Sequence, residues 1–178
     1  MVIDETYIEY VESAYSIEKN ISSLQNIMVI KSMSKVYGLS GARVAYLVGD
    51  SDYIRQLNGF IPPWSVSSLA QLAGIEALKN PEYYKPLYQK THIMRNNMIS
   101  ALRKHDNIRV YDSVANFFLV QLLDEKLASD IFETLLNKQV FVRNCDSMSC
   151  QFKNKFLRIA VKNEVQNSRI IEELTKLL

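Results

Sequence analysis

The stretch SMSKVYGLSGAR, Ser32 to Arg43, sets a single lysine among serines and glycines and ends on an arginine. Small residues such as Ser32, Ser34, Gly38 and Gly41 let a backbone come close to a ligand. Serine hydroxyls and a guanidinium fork suit a phosphate group. A lysine beside such a pocket can lose its proton and attack an aldehyde carbon. Lys35 is therefore a candidate nucleophile, with Ser32, Ser34 and Arg43 as candidate phosphate holders. The same residue types also describe a surface turn with a solvated lysine, and spacing alone leaves both readings open. The GxxxxGK[ST] order of a Walker phosphate loop is absent.

A second candidate lies upstream. The chain opens VIDETY, an apolar run that reaches an acid at Asp4. A carboxylate at the carboxyl end of such a strand projects to where open α/β sheets bind ligands. Tyr7 follows just beyond it. Each residue alone also reads blandly, Asp4 as a cap or turn former and Tyr7 as packing.

The elements that must position these residues follow from periodicity. Strands are expected at residues 1–5, 27–32 and 42–48, each a short apolar run. IEKNISSLQN reads as a short helix or loop. SDYIRQLNGF reads as a helix capped by Ser51-Asp52, and SVSSLAQLAGIEALKN as a second helix ending near Asn80-Pro81. A long helical pattern follows, with Pro86 inside it, so this helix should kink there or start later than Pro81. From about residue 107 the order becomes strand, strand, amphipathic helix, strand, strand, helix, which suggests a small α/β unit covered on one side. The division falls in or just before the long helix, giving residues 1–90 and 91–178 as the expected domains.

Composition narrows the classes. The 178 residues are 48% hydrophobic and 22% charged, ordinary for a globular protein. A net charge of +2 makes no electrostatic case for nucleic acid. Cys145 and Cys150 are separated by four residues, with His92 and His105 far away, so neither a zinc site nor a disulfide framework is expected. Cys145 reads as a small buried hydrophobe. Nothing reads as a signal peptide or a membrane span, and a cytoplasmic protein is the default expectation.

Two motifs together point to a family. VIDETYIEY, followed 31 residues after Asp4 by Lys35 in KSMSKVYGLSGARVAY, resembles the fold-type-I pyridoxal-phosphate enzymes of the class I/II aminotransferase superfamily. The strand motif looks like D-E-x-Y and the lysine motif like S-x-S-K-x-x-G-L-x-G-x-R. Ala45 stands where that family usually has glycine before the aromatic residue, a mild departure. The resemblance covers essentially the whole chain in the order of the family's second half.

The resemblance implies an α/β fold: part of a large cofactor-binding domain with a mixed, mostly parallel sheet, plus a small C-terminal α+β domain. It implies pyridoxal 5'-phosphate as cofactor. Lys35 would form the Schiff base with its aldehyde and then shuttle protons. Asp4 would pair with the pyridinium nitrogen, and Tyr7 would donate to the ring oxygen. Ser32, Ser34 and Arg43 would hold the phosphate. In the tail, NKFLRIAVKNEV resembles the segment whose arginine binds the substrate carboxylate, here Arg158. Arg143, in FVRNCDSM, would lie near a phosphorylated substrate or else form a structural salt bridge. Asn116 would face the site or serve a turn.

Within the superfamily, FVRNCDSM and LRIAVKNEVQN look most like threonine-phosphate decarboxylases and histidinol-phosphate aminotransferases, and lean to the decarboxylases. The partners implied are an amino acid or phosphorylated amine substrate and a second subunit of a homodimer. The family's first half would supply further cofactor clamps and sheet strands. The expectation is therefore the C-terminal part of a longer enzyme, weakly active or inactive alone; an inactive fragment is the alternative.

Overall fold

Alternation and register build a small mixed sheet at the start of the chain. The computed structural model describes residues 1–11, 15–24 and 26–178. Strand β1 (Val2–Asp4) pairs parallel with β2 (Met28–Ser32), and β2 pairs antiparallel with β3 (Ala45–Gly49), in the order β1-β2-β3. Asp4, Ile30 and Leu47 stand opposite one another and share one face. The next residue along β2, Lys31, stands opposite Tyr46 and belongs to the other face. Val29 on that second face is fully buried, whereas Ile30 is exposed. IEKNISSLQN forms a 3-10 helix over Ile17–Ser23, with Ser16 as its cap; Gln25 of that stretch lies outside the described residues.

Helix α1 (Ser51–Asn58) forms as the pattern predicts, but Asp50 is its cap rather than Ser51-Asp52. The Asp50 carboxylate accepts from the backbone N–H of Asp52 and Tyr53. Helix α2 (Ser68–Lys79) is capped by Ser67. It buries its small residues, Ala70, Gly74 and Ala77, and exposes its large ones, Leu69, Leu72, Ile75 and Leu78. Helix α3 (Pro81–Leu102) starts at Pro81 with Pro86 inside it, so of the two expectations the later start is overturned. Proline suits a first helical position, where its missing N–H would have no partner anyway. Pro86 then forfeits one bond near that same end.

The chain divides into two compact units, Met1–Tyr88 and Gln89–Leu178. The second contains strands β4 (Ile108–Val110), β5 (Phe117–Leu122), β6 (Arg143–Asn144) and β7 (Phe156–Ala160), all antiparallel, in the order β4-β5-β7-β6. Helices α4 (Ala128–Asn137) and α5 (Glu164–Thr175) complete it. Phe118, Val120 and Leu122 alternate inward from β5, and Leu157 and Ile159 do so from β7. They pack with Leu102, Leu135 and Leu174 to form the core of this unit. The architecture is mixed α/β, with an α+β unit at the C-terminal end.

Candidate active site

The first part of the site lies at the carboxyl end of β1. The Asp4 Oδ1 accepts from the Thr6 backbone N–H at 2.8 Å and from the Thr6 hydroxyl at 2.5 Å. The Thr6 oxygen in turn accepts from the Ser32 N–H at 3.3 Å. One hydroxyl thus links the acid at the end of β1 to the serine at the end of β2. Both bonds to Asp4 fall on a single oxygen, and an ionised carboxylate keeps further acceptor capacity on the other. Tyr7 follows, half-buried, and opens a single 3-10 turn over Ile8–Tyr10.

Beyond β2 the chain turns. The Ser32 and Ser34 hydroxyls lie 3.1 Å apart, and the Ser34 N–H points to Ser32 Oγ at 3.3 Å. Met33 and Val36 are buried and anchor this turn, while Lys35 between them is exposed. Gly38 has φ +69°, a left-handed conformation that costs an L side chain free energy. A Cβ built at Gly41 meets nothing within 4 Å, and the backbone there is not left-handed. Nothing within the described fold therefore requires glycine at that position.

Arg43 adopts φ +55°, rare for a residue with a side chain and most often found where function or a tight turn demands it. Its guanidinium donates to the Ser40 carbonyl at 3.0 Å and is exposed. The hydrogen bonds thus join Asp4, Ser32 and Ser34, whereas Arg43 is tied to its own loop.

Thr6 bonds Asp4, and Lys31 gathers acids on the opposite face; motif and spacing single out neither. Lys31 is 5% exposed on the face opposite Asp4. Its ammonium meets Glu18 at 2.6 Å, Glu9 at 3.4 Å and Glu5 at 3.5 Å. Burial pulls its pKa down, but the Glu18 hydrogen bond and the charges of Glu9, Glu18 and Glu5 outweigh burial and hold it above the ordinary lysine range. Burial raises Glu9 above the usual carboxylate range. Burial opposes the charge of Glu5 too, but its bonds to Ser16, Ile17 and Lys31 leave it below that range. The signal was available: a lysine inside the apolar run IMVIKS needs acids around it.

The remaining candidates belong to the second unit. Arg158 alternates with the buried Leu157 and Ile159, so it points away from the core. Its guanidinium lies over the Phe117 ring, 4.9 Å from the centroid. Arg143 on β6 stands directly opposite Arg158. Like charges facing one another across strands are unfavourable unless an anion is shared. Asn116 immediately precedes β5, and its carbonyl accepts from the Val161 N–H at 2.8 Å. Cys145 is fully buried, which pushes its thiol up despite nearby Arg158 and Arg143; Cys150 is exposed.

Hydrogen bonds join Asp4, Ser32 and Ser34 within the first unit, and Arg143 faces Arg158 within the second. Comparison with known proteins shows the family. The sequence profile of the family "Aminotransferase class I and II" matches residues 1–174. The histidinol-phosphate aminotransferase of Methanocaldococcus jannaschii is 31% identical over 178 residues, 100% of this chain and 47% of that protein. The solved histidinol-phosphate aminotransferase of Clostridium acetobutylicum superposes with a TM-score of 0.90 at 25% identity, covering 99% of this chain and 53% of that one. The L-threonine-O-3-phosphate decarboxylase of Porphyromonas gingivalis shares the fold, with a TM-score of 0.87 at 24% identity over 99% of this chain and 54% of that one.

The chain belongs to the class I and II aminotransferase family, whose enzymes depend on pyridoxal phosphate. It spans about half the length of the curated relatives it matches. Among the described residues, no helix is long and apolar enough to cross a membrane.

Proposed function

We propose that this chain is the lysine-bearing part of a cytoplasmic pyridoxal-phosphate-dependent enzyme that acts on a phosphorylated amino acid or amine. The observation that carries the reading is the Thr6 hydroxyl joining Asp4 to Ser32 at the mouth of the turn that exposes Lys35. The donor set suits the cofactor: an acid for a ring nitrogen, hydroxyls and a guanidinium for a phosphate, and open space at Gly41. Asp4 would accept from the ring nitrogen, and Tyr7 would donate to the ring oxygen. Ser32, Ser34 and Arg43 would hold the phosphate. The cofactor, when bound, supplies the electron sink.

Lys35 would hold the cofactor through its Nζ, and then take and return the substrate proton at that atom. Arg158 would accept the substrate carboxylate in its planar fork, resting on the Phe117 ring. Arg143, opposite it, would take a second anionic group. Two arginines at one register position suit a substrate whose carboxylate and phosphate are few bonds apart, and this favours a phosphorylated amino acid, as the decarboxylase reading needs, over histidinol phosphate, which has no carboxylate. Transamination of histidinol phosphate is the second reading, favoured by the names of the sequence relatives. How the arginines and Asn116 orient the substrate decides which bond breaks.

The rest of the enzyme would complete the site and pair two subunits. The large side chains that α2 turns outward, with Trp64 at 96% exposure, support such covering partners. The test is to mix the chain with pyridoxal phosphate, reduce with borohydride and map the adduct by peptide mass. An adduct concentrated on Lys35 is expected, with little or no turnover by the chain alone. Equal labelling of many surface lysines would remove the reading. With a complementing half present, carbon dioxide release from O-phospho-L-threonine and amine transfer from histidinol phosphate separate the two reactions.

A further inference from the structure

Arg95 lies on α3 within the second unit and is only 5% exposed. Its NH1 donates to the Val114 carbonyl at 2.8 Å and to the Ala115 carbonyl at 3.1 Å. The same nitrogen lies 2.9 Å from His92 Nδ1, and NH2 donates to Asn96 Oδ1 at 3.2 Å. Nε is buried with no hydrogen-bond partner among the described residues. A buried guanidinium with an unfilled donor is costly, so the bonds it does make need a reason.

Those bonds grip the turn that leads into β5. Ser113 Oγ shapes the same turn by accepting from the Ala115 N–H at 3.1 Å. The next residue, Asn116, receives the Val161 N–H at the end of β7. The residue after that, Phe117, carries the Arg158 guanidinium on its ring. A lysine could not replace this grip, because its shorter side chain stops short of the NH1 position that serves both carbonyls, and its single nitrogen cannot also stand where NH2 meets Asn96.

We infer that Arg95 is a positioning residue: by holding the Val114 and Ala115 carbonyls it sets where Asn116 and Phe117 stand beside Arg158. Its importance to substrate rests on the proposed function, in which Arg158 takes a carboxylate. Its effect on geometry does not.

The test compares the 178-residue chain with Arg95→Lys and Arg95→Met by hydrogen exchange and NMR. The Val161 amide, bonded to Asn116, reports the entry of β5; the Leu122 amide, bonded to Lys155, reports its far end. Protection at Val161 should fall roughly tenfold or more in Arg95→Lys while Leu122 keeps its protection. Equal losses at both amides would make Arg95 a general stabiliser and overturn the inference, as would an unchanged Val161. Should Arg95→Met fail to fold, the milder Arg95→Lys carries the comparison, with Leu122 as its internal control.

The second readout follows the Arg158 side-chain resonance during titration with succinate. Weaker succinate binding in Arg95→Lys supports the role. Unchanged binding overturns it. If the wild-type Arg158 does not respond to succinate while the Val161 effect persists, the carboxylate reading fails and the positioning role stands.

Discussion

Lys31 meets Glu18 at 2.6 Å from inside the sheet, with only 6% of its side chain exposed. Glu9 and Glu5 complete its surroundings at 3.4 and 3.5 Å. One ammonium thus holds three carboxylates on the face of β1 and β2 opposite Asp4. Replacing it by methionine, Lys31→Met, leaves those acids together without the cation that gathers them. Removing one partner of a buried charge cluster typically costs about 3–5 kcal/mol. Urea unfolding should show a loss in that range, and a loss under about 1 kcal/mol would contradict this account of the cluster.

Glu173 supplies a pH dependence. Its carboxylate accepts from Lys138 at 2.5 Å and from Lys176 at 2.8 Å, and these bonds lower its pKa from 4.5 to about 2. A depressed carboxylate contributes stability that is present above its unfolded pKa and is lost as pH falls through the folded one. The window is therefore between pH 4.5 and about 2. Glu173→Gln should lower the melting temperature near neutral pH. The gap from wild type should close as pH falls through that window, and added salt should narrow it. A gap that stays constant with pH would show that the carboxylate charge is not involved.

Gly74 is buried on the face of α2 that meets Met33 and Val44. A Cβ there would lie 3.1 Å from Met33 Sδ and 3.5 Å from Val44 Cγ2. Met33 is 1% exposed and has little room to retreat. Gly74→Val should therefore cost about 1–3 kcal/mol by overpacking, although glycine itself is a poor helix residue. Thermal unfolding of the variant measures this, and an equal or higher midpoint would show that Met33 yields freely.

The outward side of α2 should behave in the opposite way. Leu72 and Ile75 are 57% and 50% exposed. The double variant Leu72→Glu, Ile75→Lys should shift folding stability by no more than about 0.5 kcal/mol per site. It should also reduce self-association in sedimentation and lower the fluorescence of an apolar-binding dye. A loss of several kcal/mol would mean that these side chains are packed within the chain itself.

Much of the framework was legible because it is local. The apolar run MVIKS, the two-residue alternation of FFLVQL and the helical spacing of ASDIFETLLN each report their own element. The lysine turn was legible because small residues, a lysine and an arginine fall within twelve positions. Misreadings were local as well. The cap of α1 is Asp50, one residue earlier than expected, and α3 accepts both Pro81 and Pro86. Proline tolerance depends on which carbonyl loses its donor, and that is known only once the start of the helix is known.

Residue types and their spacing are legible along the chain: an acid closing a strand, a lysine in a serine-glycine turn, arginines in two late strands. Which of these groups meet is set by strand pairing. Thr6 joins Asp4 to Ser32, 26 positions along the chain, because β1 and β2 run parallel in one register. Arg143 faces Arg158 because β6 and β7 run antiparallel in another. A slip of one residue would turn each of these side chains to the opposite face. Local pattern says which side of a strand is apolar, whereas register, set by packing between distant segments, says which polar groups share a site.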